Sequence, residues 1–235
     1  MNAPSNILAV IPIRSSDAEL RSGHEPLLGD RPLFDYTFRS ALEAKSLSRR
    51  IVSTDAEWIA QRAREAGLEA PFLRPPELDE IGSTTTDVMR HCVQWLEENE
   101  GYRTDWVVLL EITHPFRLPD LIDRLVHTVL TQDVDSGFLA YREVHSYWVE
   151  GRDGQPRQVG QDAEIPRGIR RPIFRDMGGL ASMFRVSNLY AGRRYGNRVA
   201  LVPCDDVFAF VDLHDPVGAL LAETIVSSGK VDEQQ

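Results

Sequence analysis

Short apolar runs alternate with amphipathic segments along the chain, and this alternation constrains the fold more than any other feature. Residues 6–13 and 106–110 are almost wholly apolar, as expected of strands buried on both faces. Residues 119–131 repeat apolar side chains at helical spacing. Because strands that alternate with helices form parallel sheets, the sequence predicts an α/β fold with a mostly parallel sheet.

The same criteria place every other predicted element. The predicted strands are residues 6–13, 50–53, 106–110, 136–141, 180–186, 199–203 and 207–211. The predicted helices are one that Pro32 opens and residues 56–66, 86–99, 119–131 and 216–226, with Gly67 as a left-handed C-cap.

Length and cysteine content exclude several protein classes. With 235 residues the chain is long enough for one domain, residues 1–235, that folds without disulfides or metals. No apolar run approaches the ~20 residues of a membrane span, and residues 7–13 lack the basic flank of a signal peptide. The two cysteines, Cys92 and Cys204, suit a reducing compartment. We therefore expect a cytoplasmic protein without a membrane partner.

The charge of the chain limits its ligands. A formal net charge of −10 argues against a nucleic-acid partner but not against a small anion held by a few local arginines. All but Lys45 and Lys230 of the 26 basic residues are arginine. Any phosphate site must therefore use arginine or backbone N–H groups.

Residues 144–174 lose the alternating pattern. Glycine, proline, arginine and aspartate dominate there. Such a stretch is too long for an idle loop in a compact domain. It is predicted to be either an active-site flap or an interaction arm.

The loop after the first predicted strand is a candidate phosphate site. Arg14, Ser15 and Ser16 lie where ligands bind in open α/β sheets, beyond the carboxyl end of a strand. Small residues can turn backbone N–H groups toward a phosphate, and an arginine adds a bidentate fork. A plain strand-to-helix connection is the alternative.

Three further groups could carry chemistry. Four hydroxyl residues that include Ser83 and Thr84 precede the helix at 86–99, although a helix N-cap alone explains them. Glu111 ends a central strand, where a charge is costly unless it is paired or functional. Nearby His114 alone is better explained as structural. Asp212 could equally hold Mg²⁺ or cap a helix.

Taken in order, these segments resemble the CMP-sugar synthetase family. Residues 110–117 are similar to the family's "LQPTSPLR", and residues 172–178 to its "PPVYRENG". The other matching segments are residues 51–55, 72–87 and 211–212.

The resemblance implies a three-layer, Rossmann-like nucleotide-diphospho-sugar transferase fold. It also implies a homodimer in which residues 144–174 reach the partner, and Mg²⁺-dependent transfer of CMP from CTP to an acidic sugar with release of pyrophosphate. By resemblance Arg14 and Asp212 are catalytic, with Asp212 also the metal ligand. The implied nucleotide-binding residues are Arg14, Ser15, Ser16, Arg21, Arg74, Ser83 and Thr84. The implied acceptor-binding residues are Glu111, Thr113, Arg167 and Arg170.

The chain departs from the family pattern in the phosphate loop, in the metal motif and at the acceptor motifs. In the phosphate loop the two lysines are replaced by Ala18 and Gly23, and in the metal motif the first aspartate is replaced by Phe210. These changes leave a non-catalytic ligand sensor or partner subunit as an alternative. At the acceptor motifs Glu111 and Met177 replace a glutamine and an asparagine, so a non-sugar acceptor such as a phosphonate is a second alternative.

Overall fold

The computed structural model describes residues 5–16, 26–79, 82–118, 120–160 and 164–229. The strands are β1 Ile7–Ile13, β2 Leu27–Leu28, β3 Arg31–Pro32, β4 Arg49–Thr54, β5 Trp106–Leu109, β6 Ser136–Glu143, β7 Tyr147–Glu150, β8 Pro156–Val159, β9 Ile173–Asp176, β10 Ser182–Arg185 and β11 Val199–Cys204. The helices are α1 Leu33–Glu43, α2 Glu57–Glu65, α3 Thr85–Glu100, α4 Leu121–Thr131, α5 Val186–Tyr190 and α6 Pro216–Ser227.

The central sheet is mostly parallel, as predicted. Its strand order is β11-β6-β10-β5-β1-β4, and β9 pairs with β6. Strand β1 runs parallel to β4 and β5, and β11 runs parallel to β6. Strand β10 lies antiparallel between β5 and β6, so β4, β1, β5, β6 and β11 all point the same way. Their carboxyl ends therefore meet at one edge.

Helices cover both faces of this sheet. Alternate residues of β1 face opposite sides, because successive side chains of a strand do. Ile11 packs in one buried cluster with Phe34 of α1 and Leu121 of α4. Val10 packs in the other cluster with Met89 of α3. This arrangement confirms the three layers.

Residues 207–211 are not a strand, so that prediction was wrong. They form a 3-10 turn, Phe208–Phe210, that packs its side chains inward. Ala209 and Val211 are buried, and the Phe210 ring lies 3.8 Å from the Tyr141 ring, centroid to centroid. A short apolar run identifies burial but does not distinguish a strand from a turn.

The segment at residues 144–174 is more regular than its composition suggested. Strands β7 and β8 pair as an antiparallel hairpin, separate from the central sheet. Strand β9 begins within the segment and joins the central sheet by pairing with β6. The side chains of the hairpin are largely exposed, including Trp148 at 60%.

Two further findings concern the described part of the chain. No helix there has both the length and the apolar character needed to cross a membrane. Cys92 and Cys204 are buried free thiols.

Candidate active site

A cleft of about 300 Å³ opens where β1 and β5 end. Two of the predicted nucleotide-binding segments face each other across it, since Arg14 follows β1 and Thr84 precedes α3. The lining residues are Pro12, Arg14, Arg74, Leu78, Ser83, Thr84, Thr85, Val88, Glu111, Ile112, Thr113 and His214. Its volume lies within the range of pockets for small ligands.

The loop after β1 is tied to the end of β4. The backbone N–H of Ser15 donates to Asp55 Oδ1 at 2.8 Å, and the Ser15 hydroxyl donates to Asp55 Oδ2. Burial alone would raise the pKa of Asp55, but these hydrogen bonds bring the pKa below its usual range. Arg14 is half-buried on the cleft wall, whereas Ser16 is exposed and is not part of the lining. Arg21, Ala18 and Gly23 lie outside the described residues.

Arg74 is a fixed part of the wall. It is 4% exposed, and its Nη2 lies 2.6 Å from Asp79 Oδ1. The same nitrogen donates to the Ile13 carbonyl at 3.3 Å. Because these partners hold the guanidinium, Arg74 offers the cleft a rigid surface.

The N-terminus of α3 supplies hydroxyl groups. The Thr84 hydroxyl accepts from the Asp87 N–H, and the Asp87 carboxylate accepts from the Thr84 N–H at 2.9 Å, which forms a capping box. The neighbouring Ser83 hydroxyl is buried and finds no hydrogen-bond partner among the described residues. An unsatisfied buried hydroxyl on a cleft wall suits a polar ligand.

A second cavity of about 330 Å³ adjoins the first, and Glu111 lies on the wall of both. Its lining residues are Glu111, His114, Arg175, Asp176, Met177, Gly178, Gly179, Arg194, Phe210 and Asp212. One side chain thus separates the two spaces. Thr113, the other predicted acceptor residue of this loop, is buried and lines only the first cleft.

Arg117 organises the loop that carries Glu111. It is 2% exposed, and its guanidinium donates to the carbonyls of Glu111, Leu180 and Gly179 and to the Thr37 hydroxyl at 2.7 Å. Burial lowers its pKa to about 9, so it remains a cation at neutral pH. Arg117 lies inside a motif quoted above but was missed as a site residue.

Close packing restricts the position of the Glu111 carboxylate, and burial shifts its pKa. A Cβ at Gly179 would lie 2.4 Å from Glu111 Oε2 and 2.7 Å from the ring of buried His114, so a larger residue there would displace these side chains. Burial raises the pKa of Glu111, although His214, Arg194 and Arg117 oppose that shift. Burial also lowers the pKa of His114 to about 4, so this imidazole is neutral at pH 7.

Asp212 is half-buried at the second cavity. Its Oδ1 accepts from the His214 backbone N–H at 3.0 Å and lies 3.0 Å from His214 Nδ1. Phe210 offers no metal ligand, and in the described parts of the chain no three His, Cys, Asp or Glu side chains gather around one point. Mg²⁺ commonly takes one or two carboxylates plus substrate phosphates and water. Asp212 fits the single-carboxylate form of such a site.

Two predicted acceptor arginines lie outside both cavity linings. Arg167 is exposed, and Arg170 donates to the carbonyls of Ile165 at 2.5 Å and Val144 at 3.3 Å. Their contact with an acceptor stays a prediction. The second cavity is lined instead by Arg175 and Arg194, which were missed. Arg175 belongs to a quoted motif, whereas no sequence signal identified Arg194.

Comparison with known proteins gives consistent matches. The profile of the family described as "Cytidylyltransferase" matches residues 25–153. CMP-N,N'-diacetyllegionaminic acid synthase of Legionella pneumophila is 27% identical over 94% of this chain and 96% of its own. N-acylneuraminate cytidylyltransferase of Escherichia coli is 32% identical over 48% of this chain and 26% of its own. Pseudaminic acid cytidylyltransferase of Campylobacter jejuni is 29% identical over 49% of each chain.

Solved structures share the fold at low identity. A CMP:2-keto-3-deoxy-manno-octonic acid synthetase complexed with CTP aligns with a TM-score of 0.67 and 13% identity, over 96% of this chain and 100% of that one. The 4-diphosphocytidyl-2C-methyl-D-erythritol synthase of Anaerococcus prevotii aligns with a TM-score of 0.64 and 11% identity, over the same shares. The family match covers more than half of the chain, and the named relatives agree with it. The chain therefore belongs to the cytidylyltransferase family, and the resemblance to CMP-sugar synthetases is confirmed.

Proposed function

We propose that this enzyme transfers CMP from CTP to a sialic-acid-like or other acidic sugar and releases pyrophosphate. The observation that carries the proposal is the pair of adjoining cavities with Glu111 as their common wall. One cavity holds the segments that resemble the family's nucleotide motifs, and the other is lined by two arginines. The relatives are named as a CMP-N,N'-diacetyllegionaminic acid synthase and as cytidylyltransferases of N-acylneuraminate and of pseudaminic acid, and these names support the same assignment.

The first cleft suits CTP. Arg14 can face the triphosphate from the end of β1, where a guanidinium forms bidentate bonds to phosphate oxygens. Arg74, Ser83 and Thr84 line the same cleft and are assigned to cytosine and ribose. The unsatisfied Ser83 hydroxyl supports this assignment, because a polar group of the nucleotide would give it a partner.

The second cavity suits the acceptor. In the proposed reaction the acceptor hydroxyl oxygen bonds to the α-phosphorus of CTP. The bond from that phosphorus to the bridging oxygen of the β-phosphate breaks, pyrophosphate leaves, and the hydroxyl proton passes to solvent. Such chemistry depends on positioning and charge neutralisation rather than on a covalent enzyme intermediate. The adjoining cavities would hold the two reactants side by side.

Asp212, which lines the second cavity, would hold a Mg²⁺ ion. When bound, the ion neutralises charge on the phosphate oxygens. The His214 backbone N–H fixes the Asp212 carboxylate. Arg14 adds positive charge on the wall of the first cleft.

Pyrophosphate release from CTP, with Mg²⁺ and a panel of 2-keto sugar acids, tests the proposal. Arg14→Gln should raise the KM for CTP about 10- to 100-fold, the value of a lost charge-assisted hydrogen bond. Asp212→Asn should lower kcat about 100-fold. Asp205→Asn is the matched control, because Asp205 is exposed and outside both linings.

Each result has one meaning. Turnover of a sugar acid that falls about 100-fold in Asp212→Asn and is unchanged in Asp205→Asn supports the proposal. CTP binding without turnover of any acceptor favours the non-catalytic sensor. Turnover of a phosphonate alone favours the non-sugar acceptor. An Asp212→Asn variant as active as the wild type contradicts the assigned role of Asp212.

We further propose a homodimer in which the segment at residues 144–174 contacts the partner. Neighbouring apolar side chains of its hairpin are exposed, Trp148 at 60% and Val149 at 51%, and contiguous exposed apolar surface is typical of interaction sites. Light scattering should give a dimer mass, and Trp148→Glu should shift it toward the monomer. A monomeric wild type would contradict the proposal.

A further inference from the structure

Most charged side chains on the second cavity already have partners. Arg175 lies 3.4 Å from Glu143, and the Tyr195 hydroxyl donates to Asp176 at 2.6 Å. Asp212 pairs with His214 at 3.0 Å. These groups are held in place by the protein itself.

Two charged groups on this cavity remain unpaired. Within the described residues, neither the Glu111 carboxylate nor the Arg194 guanidinium has a hydrogen bond or an ion pair. The charge of Arg194 lowers the pKa of Glu111 against the larger effect of burial, so the two groups interact electrostatically although they form no ion pair. A half-buried ion without a partner is costly, and a ligand that pairs with it offsets the cost.

The backbone around Arg194 is fixed for such a role. Buried Asn188 donates from its amide nitrogen to the Arg194 carbonyl at 3.2 Å and to the Asp135 carbonyl at 3.1 Å. The next residue, Tyr195, is anchored by its bond to Asp176. The Arg194 guanidinium carbon lies 5.8 Å from the centre of the Tyr195 ring, within the range of a cation–π contact. Fixed neighbours reduce the entropy lost when a ligand binds.

The cavity therefore presents a cation on one side and a hydrogen-bond acceptor on the other. We infer that Arg194 binds the carboxylate of the acceptor, while Glu111 accepts hydrogen bonds from a hydroxyl or N–H group of the same molecule. This inference rests on the proposed function and deepens it, since it selects sugar acids that carry such donors over neutral sugars. Arg194 is then a specificity-determining residue.

Arg194→Gln tests the inference, with Arg193→Gln as its matched control. Arg193 is the adjacent arginine, but it is exposed and lies outside the cavity lining. The probe is a 2-keto sugar acid titrated calorimetrically into protein that holds α,β-methylene-CTP. Arg194→Gln should weaken its binding about 10- to 100-fold, and Arg193→Gln less than 2-fold. Neither variant should change the affinity for the nucleotide analogue or the melting temperature.

A second probe separates charge from shape. The carboxamide of the same sugar acid keeps the size and loses the charge, so the wild type should bind it about 10-fold more weakly than the acid. Arg194→Gln should show little preference between the two. Glu111→Gln should keep the preference for the acid, because Arg194 is intact, and should bind both probes several-fold more weakly.

The outcomes separate this inference from the proposed function. Binding of the acid without pyrophosphate release contradicts the proposed reaction and still tests Arg194. Equal loss of affinity in Arg194→Gln and Arg193→Gln, or an unchanged preference for the acid in Arg194→Gln, overturns the inference. No measurable binding of any sugar acid by the wild type overturns it as well.

Discussion

Gly218 is where helix α6 meets the loop that carries Asp212. The glycine is buried, and a Cβ built on it would lie 2.0 Å from the Asp212 carbonyl oxygen and 2.9 Å from the carbonyl carbon. Both atoms belong to the backbone, so no side-chain rotation can relieve the contact. Alanine at this position must therefore separate the helix from the loop.

The geometry sets the size of the effect. Cβ contacts essentially never fall under 3.0 Å, so the Asp212 backbone must move by about 1 Å. A misplacement of about 1 Å at a reacting site can cost about 100-fold in rate. Overpacking costs about 1–3 kcal/mol, while replacing glycine by alanine in a helix returns about 1 kcal/mol. We expect Gly218→Ala to lose up to about 2 kcal/mol of stability, or a few degrees in Tm.

The assay is pyrophosphate release at saturating CTP, together with a thermal melt. Leu220→Ala is the control, since Leu220 lies on the same helix, is 70% exposed and lines neither cavity. Gly218→Ala should lower kcat by far more than its small loss of Tm can explain, while Leu220→Ala should leave kcat unchanged. A Gly218→Ala variant with wild-type kcat would refute the placement of Asp212 at the reaction.

Three further predictions concern the support of the site. Thr84→Ala removes the capping box of α3 and should cost about 1 kcal/mol in urea unfolding; no loss would contradict the cap. Arg117→Met removes several charge-assisted hydrogen bonds and leaves the Leu180 carbonyl without its donor, so it should cost about 3 kcal/mol in the same assay; a loss under about 1 kcal/mol would contradict this role. Burial lowers the pKa of His114 from 6.5 to about 4, so the unfolded chain takes up the proton first and stability falls as pH drops through this range. In urea unfolding at a series of pH values, His114→Asn should remove about 1–3 kcal/mol of that loss, whereas exposed His127→Asn should not. The raised pKa of Glu111 changes stability with pH in the opposite direction, and it does so equally in the two variants.

The main elements of the fold were predictable from local sequence. Residues 7–13 are apolar throughout and form β1, and the predicted C-cap Gly67 has φ = 92°. Thr84 and Asp87 stand three residues apart, the spacing of a capping box, and they start α3. These features depend on neighbours within a few residues, so the sequence contains all the information they need.

The parts that were missed depend on distant contacts. The turn at Phe208–Phe210 has the composition of a strand, and only its packing against Tyr141 of β6 makes it a turn. Arg194 is one of many arginines. Its neighbours distinguish it. Asn188, which binds the Arg194 carbonyl, also donates to the Asp135 carbonyl just before β6, and Tyr195 donates to Asp176 of β9.

Two of the departures from the family pattern, Phe210 and Glu111, lie in the same cavity. By resemblance, Phe210 replaces an acidic residue and Glu111 replaces a neutral amide. Both side chains line the second cavity, so the substitutions remove one carboxylate from its wall and add another. The new carboxylate lies beside Gly179, and the Phe210 ring packs against Tyr141. Because Arg194 opposes this relocated charge, the cavity keeps a cation and an anion for its ligand. These two departures are therefore consistent with the acceptor recognition proposed above for Arg194 and Glu111.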